Sequence, residues 1–269
     1  ERDLMGGDCL NVGCVPSKGV ISAARVAATV RDAGEFGVEI PDGWGVNFAA
    51  AMERMRRLRA DMARHDSAAR FQELGIDVFL GSGSFSAGDH VEVVGKKLKY
   101  KRAVICTGGR AAKLPIPGLE EVDYLTNESI FSLTELPKRL IVIGGGPIGT
   151  EMAQSFARFG SQVTQIEIAP NILSREETDA ALVVQKAMEK DGVKFVLNAN
   201  TVRVEQRGDE KVVFVEQNGE EKEIVGDQLL IGIGRSPNVD GMRLENVGVK
   251  FDTRNGIEVS DNLQTTNPK

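Results

Sequence analysis

The sequence predicts an α/β protein, and three observations predict it. Residues 139–167 read as strand, glycine turn, helix and strand in unbroken order. Residues 9–33 read as a cysteine pair entering a helix. Between and beyond these stretches lie short alternating segments punctuated by glycine, the pattern of strands. With 269 residues, 41% hydrophobic and 27% charged, the chain can bury two ordinary cores. A net charge of −6 argues against nucleic acid as the main partner, because neutralising phosphates requires a basic face. No apolar run approaches the roughly 20 residues of a membrane span, and no secretory signal opens the chain. The three cysteines are an odd number, unlike an extracellular disulfide framework. These features predict a cytoplasmic protein.

Cys9 and Cys14 lie in GGDCLNVGCVPSK. A regular helix would hold two Cα atoms five residues apart at roughly 8.7 Å, and a disulfide needs less than about 7 Å. Gly13 permits a bend that draws the sulfurs together, and Pro16 suits the first turn of a helix over about residues 16–33. Cys14 then sits near a helix N-terminus, where the backbone dipole favours a nucleophilic thiolate. The pair reads as a dithiol that cycles with a disulfide. The alternatives are a structural disulfide, a zinc half-site or two inert buried thiols. Zinc needs about four ligands at suitable spacing, and only the scattered Cys106, His65 and His90 could add to the pair, so no metal site is spelled out.

After this come a helical stretch and strand-like segments. From Phe48 to Leu74 the residues Phe48, Met52, Met55, Leu58, Met62 and Phe71 recur at helical spacing, predicting one long helix. Its Arg54, Arg56, Arg57, Arg59 and Arg64 interleave with Glu53, Asp61 and Asp66 and read as a solvated face, as does His65. DVFLGSGSF, HVEVVG and KLKYKRAVICTGG read as strands.

Leu140 to Ile143 form a short β-branched run, as in a strand buried on both faces, and enter Gly144-Gly145-Gly146-Pro147-Ile148-Gly149 directly. Those glycines allow a tight turn and close backbone approach, so a pyrophosphate can sit on the amides that open the next helix. Pro147 suits that first turn, Ile148, Met152, Phe156 and Phe159 form one apolar face, and Gly160 can end the helix. Glu167 closes the following strand, where an acid accepts hydrogen bonds from an adenosine ribose and repels a 2′-phosphate. Glu151 reads either as a favourable charge near a helix start or as a paired acid inside a nicotinamide site. A helix near Asp179–Lys190, a strand at Val193–Leu197 and a three-strand ribbon broken at RGDE and NGEE follow. The chain then returns as DQLLIGIGRSPNV.

The segment from Gly6 to Lys18 fills every fixed place of G-G-x-C-x-N-x-G-C-x-P-[SK]-K. There the chain resembles the class I pyridine-nucleotide disulfide oxidoreductases, among them dihydrolipoamide dehydrogenase, glutathione reductase and mercuric reductase. The resemblance implies two Rossmann-like nucleotide-binding domains: a partial FAD domain with the redox disulfide over 1–119, an inserted NAD(P) domain over 120–240, and a return segment over 241–269. It implies that Cys14 faces the flavin and that Cys9 exchanges with substrate. It pairs Lys18 with Glu151 beside the flavin N5. Gly83, Thr107, Gly108 and Gly109 would contact FAD, with Cys106 a buried packing residue where alanine is usual. Val202 and Gly234 would lie around the nicotinamide dinucleotide. Relatives that use NADPH place arginine where Ile168 and Ser174 stand here, which favours NADH, while the nearby Arg175 keeps NADPH open. Pro147 replaces the tyrosine that gates the nicotinamide pocket in some relatives.

The family is longer at both ends, so the chain reads as a fragment with weak FAD binding and little turnover of its own. For the intact protein the resemblance implies a homodimeric flavoenzyme that passes electrons from NADH or NADPH through FAD to Cys9 and Cys14. The small-molecule acceptor is Hg(II), as in mercuric reductase, or a disulfide such as lipoamide. A nucleotide-binding fragment or redox sensor without catalysis is the remaining alternative.

Overall fold

The computed structural model describes residues 1–86 and 88–269. Its helices are α1 (Gly7–Asn11), α2 (Cys14–Arg31), α3 (Phe48–Ala63), α4 (Ala68–Glu73), α5 (Pro147–Phe159) and α6 (Thr178–Lys190). The strands run β1 (Ser84–Ser86), β2 (His90–Val93), β3 (Lys96–Lys99), β4 (Gly109–Ala111), β5 (Arg139–Ile143), β6 (Gln162–Ile166) and β7 (Lys194–Val196). Then follow β8 (Ala199–Arg207), β9 (Glu210–Gln217), β10 (Glu220–Gly226), β11 (Gln228–Ile231), β12 (Arg235–Pro237), β13 (Phe251–Asp252) and β14 (Gly256–Ile257). The chain separates into two compact units, Val12–Arg59 with Lys113–Gly234, and Glu1–Asn11 with Ala60–Ala112 and Arg235–Lys269.

The unit of Val12–Arg59 and Lys113–Gly234 is built on a four-stranded parallel sheet in the order β11-β5-β6-β7. The central β5 has a continuous apolar run because both of its faces are covered. Leu140 and Val142 join a core formed with α2, α3 and α5, while Ile141 and Ile143 join a second core beneath the ribbon. In the first core Val20, Ala24 and Ala27 of α2 present the i, i+4, i+7 stripe of an amphipathic helix. The Phe48 ring packs 5.6 Å from both Phe156 and Phe159. Burying each such ring contributes about 1.5–3 kcal/mol. Gly19 lets α2 approach α3, since a Cβ there would lie 2.9 Å from Met55 Cγ.

The second core is closed by the antiparallel ribbon β10-β9-β8, with Val213 and Val215 fully buried. Its turns fall where the sequence breaks at RGDE and NGEE. Asn218 and Gly219 hold φ of +56° and +80°, the pair of positive values that lets a two-residue hairpin follow the strand twist. A register shift between Thr201 and Arg203 sets Val202 at a bulge in β8. At the root of the ribbon Asp227 accepts from the Arg139 amide at 2.8 Å and from its guanidinium at 2.6 Å, and Glu210 accepts from the same guanidinium at 2.7 Å.

The predicted long helix over 48–74 is two helices. Ser67 adopts extended φ/ψ and its hydroxyl accepts from the Arg70 amide at 3.2 Å, capping α4 and ending the continuous pattern. The apolar face is buried only at Phe48, Met52 and Met55, while Leu58 and Met62 are exposed.

In the other unit β1-β2-β3 form an antiparallel sheet, β4 pairs with β12, and β13 pairs with β14. Phe85, Val239, Met242, Leu244 and Val249 make its core, with the Tyr100 ring edge-on to Phe85 at 5.9 Å. Cys106 is exposed, contrary to the expectation of a buried packing residue. Residues 102–108 form no regular strand, so their alternate side chains have no neighbouring strand to cover them, and Val104 is 87% exposed.

Candidate functional site

Strand β5 feeds the turn at Gly144, and α5 opens at Pro147 with Gly146 as its N-cap. Pro147 is the first helical residue and Gly160 ends the helix at φ +112°, as the sequence predicts. With no side chain at the N-cap, no side-chain oxygen bonds to the first-turn amides of α5. The glycines are required by crowding on the protein side. A Cβ at Gly144, whose φ is +113°, would lie 2.5 Å from the Gly232 carbonyl oxygen. One at Gly149 would lie 2.4 Å from the Gly144 oxygen, and one at Gly145 would lie 2.8 Å from Glu167 Oε2. Gly146 is different: its nearest neighbour would be 3.9 Å away, so the space above it is open to a ligand. This cradle fits a dinucleotide pyrophosphate.

Glu167 follows β6 directly, and its carboxylate spans two backbone amides, Gly145 N–H and Ala169 N–H, the latter at 2.8 Å. Ile168 beside it is 69% exposed. Val202 is half-buried at the β8 bulge, and Gly234 holds φ +115° with open space around it.

Cys14 is the first residue of α2, with Gly13 as N-cap, and is exposed. The helix starts two residues before the predicted Pro16, which is buried in its first turn. Ser17 donates to the Cys14 carbonyl at 3.3 Å. Lys18 and Glu151 do not form the expected ion pair among the described residues, and both side chains are exposed. An acid at this place needs a partner only when buried; the solvated Glu151 carboxylate carries its charge without one.

Cys9 lies in α1 and is exposed. The loop before it depends on Gly6, at φ +88°, where a Cβ would lie 2.3 Å from Leu10 Cδ2. Asn11 fastens the same loop by donating to Met5 and Gly7 carbonyls at 3.0 and 2.9 Å. Asp8, next to Cys9, is paired with Arg235, which also donates to the Gly109 carbonyl. Thr107 and Asn238 exchange side-chain to backbone hydrogen bonds of 2.8 and 3.0 Å. Gly108 holds φ +64°, and a Cβ there would meet only Asp8 Oδ2 at 3.8 Å, so its backbone is open to close approach by a nucleotide. Gly83 precedes β1, with Val91 Cγ1 3.5 Å from where its Cβ would stand.

Asn11, a fixed place of the cysteine motif to which the sequence alone gave no role, holds the cysteine loop. Reading the sequence alone missed Gln165 and Thr150, which bind main-chain carbonyls of the glycine turn and leave no motif.

The family model described as pyridine nucleotide-disulphide oxidoreductase matches residues 3–269. The chain is similar to a mercuric reductase of Lysinibacillus sphaericus, 36% identical over 269 residues, covering 100% of this chain and 49% of that protein. It is similar also to a dihydrolipoyl dehydrogenase of Acholeplasma laidlawii, 32% identical, covering 100% of this chain and 79% of that protein. Among solved structures, the Cu(II) complex of the HOCl-induced flavoprotein disulfide reductase RclA from Escherichia coli superposes with a TM-score of 0.85. The two are 28% identical, over 99% of this chain and 57% of that one. The chain spans about half the length of the mercuric reductases it matches, at 49% and 42%. No helix of the described residues is long and apolar enough to cross a membrane.

Proposed function

Because the chain belongs to the pyridine nucleotide-disulphide oxidoreductase family, a family of flavoenzymes, we propose that the protein passes electrons from NAD(P)H through FAD to a Cys9–Cys14 couple. The terminal acceptor we infer is Hg(II). The observation that carries this reading is the placing of an exposed Cys14 at the first position of α2, in a chain that also builds a side-chain-free dinucleotide turn.

The amides opening α5 bind the pyrophosphate, and Glu167 accepts from the adenosine ribose hydroxyls, which favours NADH. FAD, when bound, supplies the relay between nicotinamide and sulfur; Lys18, Gly83, Thr107, Gly108 and Gly109 are the residues that would hold it. Lys18 brings its positive charge to the electron-rich ring. Val202 and Gly234 flank the nicotinamide end. Two electrons convert the Cys9–Cys14 disulfide to two thiols. Cys9 then engages the substrate, and soft Hg(II) suits a thiolate. Closing the disulfide again returns the two electrons to the metal, giving Hg(0) and releasing two protons. The same reading makes the intact protein a cytoplasmic homodimer.

A second reading, dihydrolipoamide oxidation with NAD, draws support from Glu167 and from the dihydrolipoyl dehydrogenase relative that the chain covers to 79%. The two are separated by assaying the full-length protein for NAD(P)H-dependent volatilisation of Hg(II) against reduction of lipoamide. Loss of either activity in Cys14→Ser is expected. A full-length flavoprotein that oxidises NAD(P)H with neither acceptor, or whose activity survives Cys14→Ser, would overturn the proposal.

A further inference from the structure

Gln165 is a polar amide at the penultimate position of β6, beside the buried Ile166, and none of it reaches solvent. Its Nε2 donates to the Gly144 carbonyl at 2.9 Å and to Thr150 Oγ1 at 3.3 Å. The Thr150 hydroxyl in turn donates to the Gly145 carbonyl at 3.2 Å, which also accepts from the Leu173 amide at 2.7 Å. Gln165 Oε1 is buried and has no hydrogen-bond partner among the described residues. A buried amide with an orphaned oxygen calls for an explanation. A leucine of similar volume would remove the unsatisfied Oε1 but would strip the buried Gly144 carbonyl of its Gln165 donor.

Its position explains it. In a trans peptide the carbonyl and the next N–H point in opposite directions, so anchoring a carbonyl aims the amide that follows. The Gly144 carbonyl bonds to Gln165, and the amide of the same peptide, Gly145 N–H, meets Glu167. The Gly145 carbonyl bonds to Thr150, and the Gly146 amide is turned the other way. A Cβ at Gly149 would stand 2.4 Å from the Gly144 oxygen and 3.4 Å from Gln165 Nε2, which leaves that carbonyl little room to rotate.

We propose that Gln165 and Thr150 are positioning residues that set the two peptide planes of the glycine turn for a dinucleotide pyrophosphate. The inference rests on the dinucleotide reading above. The test measures affinity of the full-length protein for NADH and for ADP-ribose, which share the pyrophosphate, in Gln165→Leu, Thr150→Val, Thr150→Ser and the double variant Gln165→Leu/Thr150→Val. Losing one such hydrogen bond should weaken both ligands by about 3- to 10-fold. In Gln165→Leu, KM for NADH should rise while kcat holds, a split that a loss of stability alone would not produce. Thr150→Ser should keep wild-type affinity, and the double variant should lose less than the product of the single losses. Equal NADH affinity in wild type, Gln165→Leu and Thr150→Val would overturn the inference while leaving the dinucleotide reading standing. A wild type that binds neither ligand would overturn both. Because Thr150→Val conserves volume, it tests the same network if Gln165→Leu fails to fold.

Discussion

Asp191, its carboxylate 4% exposed at the end of α6, accepts a 2.9 Å hydrogen bond from Arg31 in the last turn of α2. Gln154 and Arg158 of α5 donate to the other oxygen at 2.8 and 2.9 Å. One acid therefore ties together three helices of the same unit. Asp32 and, after it, Asp191 hold the Arg31 guanidinium firmly in its charged form. Asp191→Ala should lower stability by about 2–3 kcal/mol, less than a fully buried pair loses, because both guanidiniums reach solvent. The midpoint of urea unfolding reads this directly.

Gly149 and Gly146 should separate packing from binding. Gly149→Ala forces a Cβ against the Gly144 carbonyl and against Val142 Cγ1 at 3.3 Å, and should lower both stability, by about 1–3 kcal/mol, and NADH affinity. Gly146→Ala meets no protein atom nearer than 3.9 Å, so its melting temperature should hold while NADH binding falls. Calorimetric melting alongside NADH titration distinguishes the two.

Burial pushes the Asp227 carboxyl upward, but the hydrogen bonds from the Arg139 guanidinium and amide outweigh it and hold the group below the usual carboxylate range. The folded value is thus depressed relative to the unfolded one. The pair's contribution is fully present above about pH 4 and is lost as pH falls through the folded value. Asp227→Asn should flatten this acid limb of the stability profile and leave the neutral region's slope unchanged. Unfolding free energy measured from pH 6 downward in both proteins supplies the comparison.

Glu167→Ala removes the carboxylate expected to repel a 2′-phosphate. The ratio of NADH to NADPH affinity should fall about tenfold, the size of one hydrogen bond to a charged group. An unchanged ratio would place nucleotide choice elsewhere.

The glycine turn, α5 and the ribbon were legible because their determinants are local. Pro147 fixes a helix start, Gly160 its end, and Asn218-Gly219 a hairpin, each within a few residues. The helix over 48–74 was misread for an equally local reason: Ser67 offers a cap that interrupts the spacing, and periodicity does not register a competing hydrogen bond. Cys106 was misplaced because a short apolar segment says nothing of whether a neighbour will cover it. Gln165 was invisible for a different reason. It is defined by the carbonyl it reaches, and that carbonyl is 21 residues away along the chain.

The order β11-β5-β6-β7 also dictates a timetable for synthesis. β5, β6 and β7 leave the ribosome in succession, but the strand that flanks β5 on its other side arrives only after the whole ribbon has been made. Until residues 228–232 emerge, one edge of β5 keeps its peptide groups unpaired, a template for pairing with another nascent chain. The carbonyl of Gly232 that crowds Gly144 is missing over the same interval. A chaperone acting on this protein would have that open edge to shield.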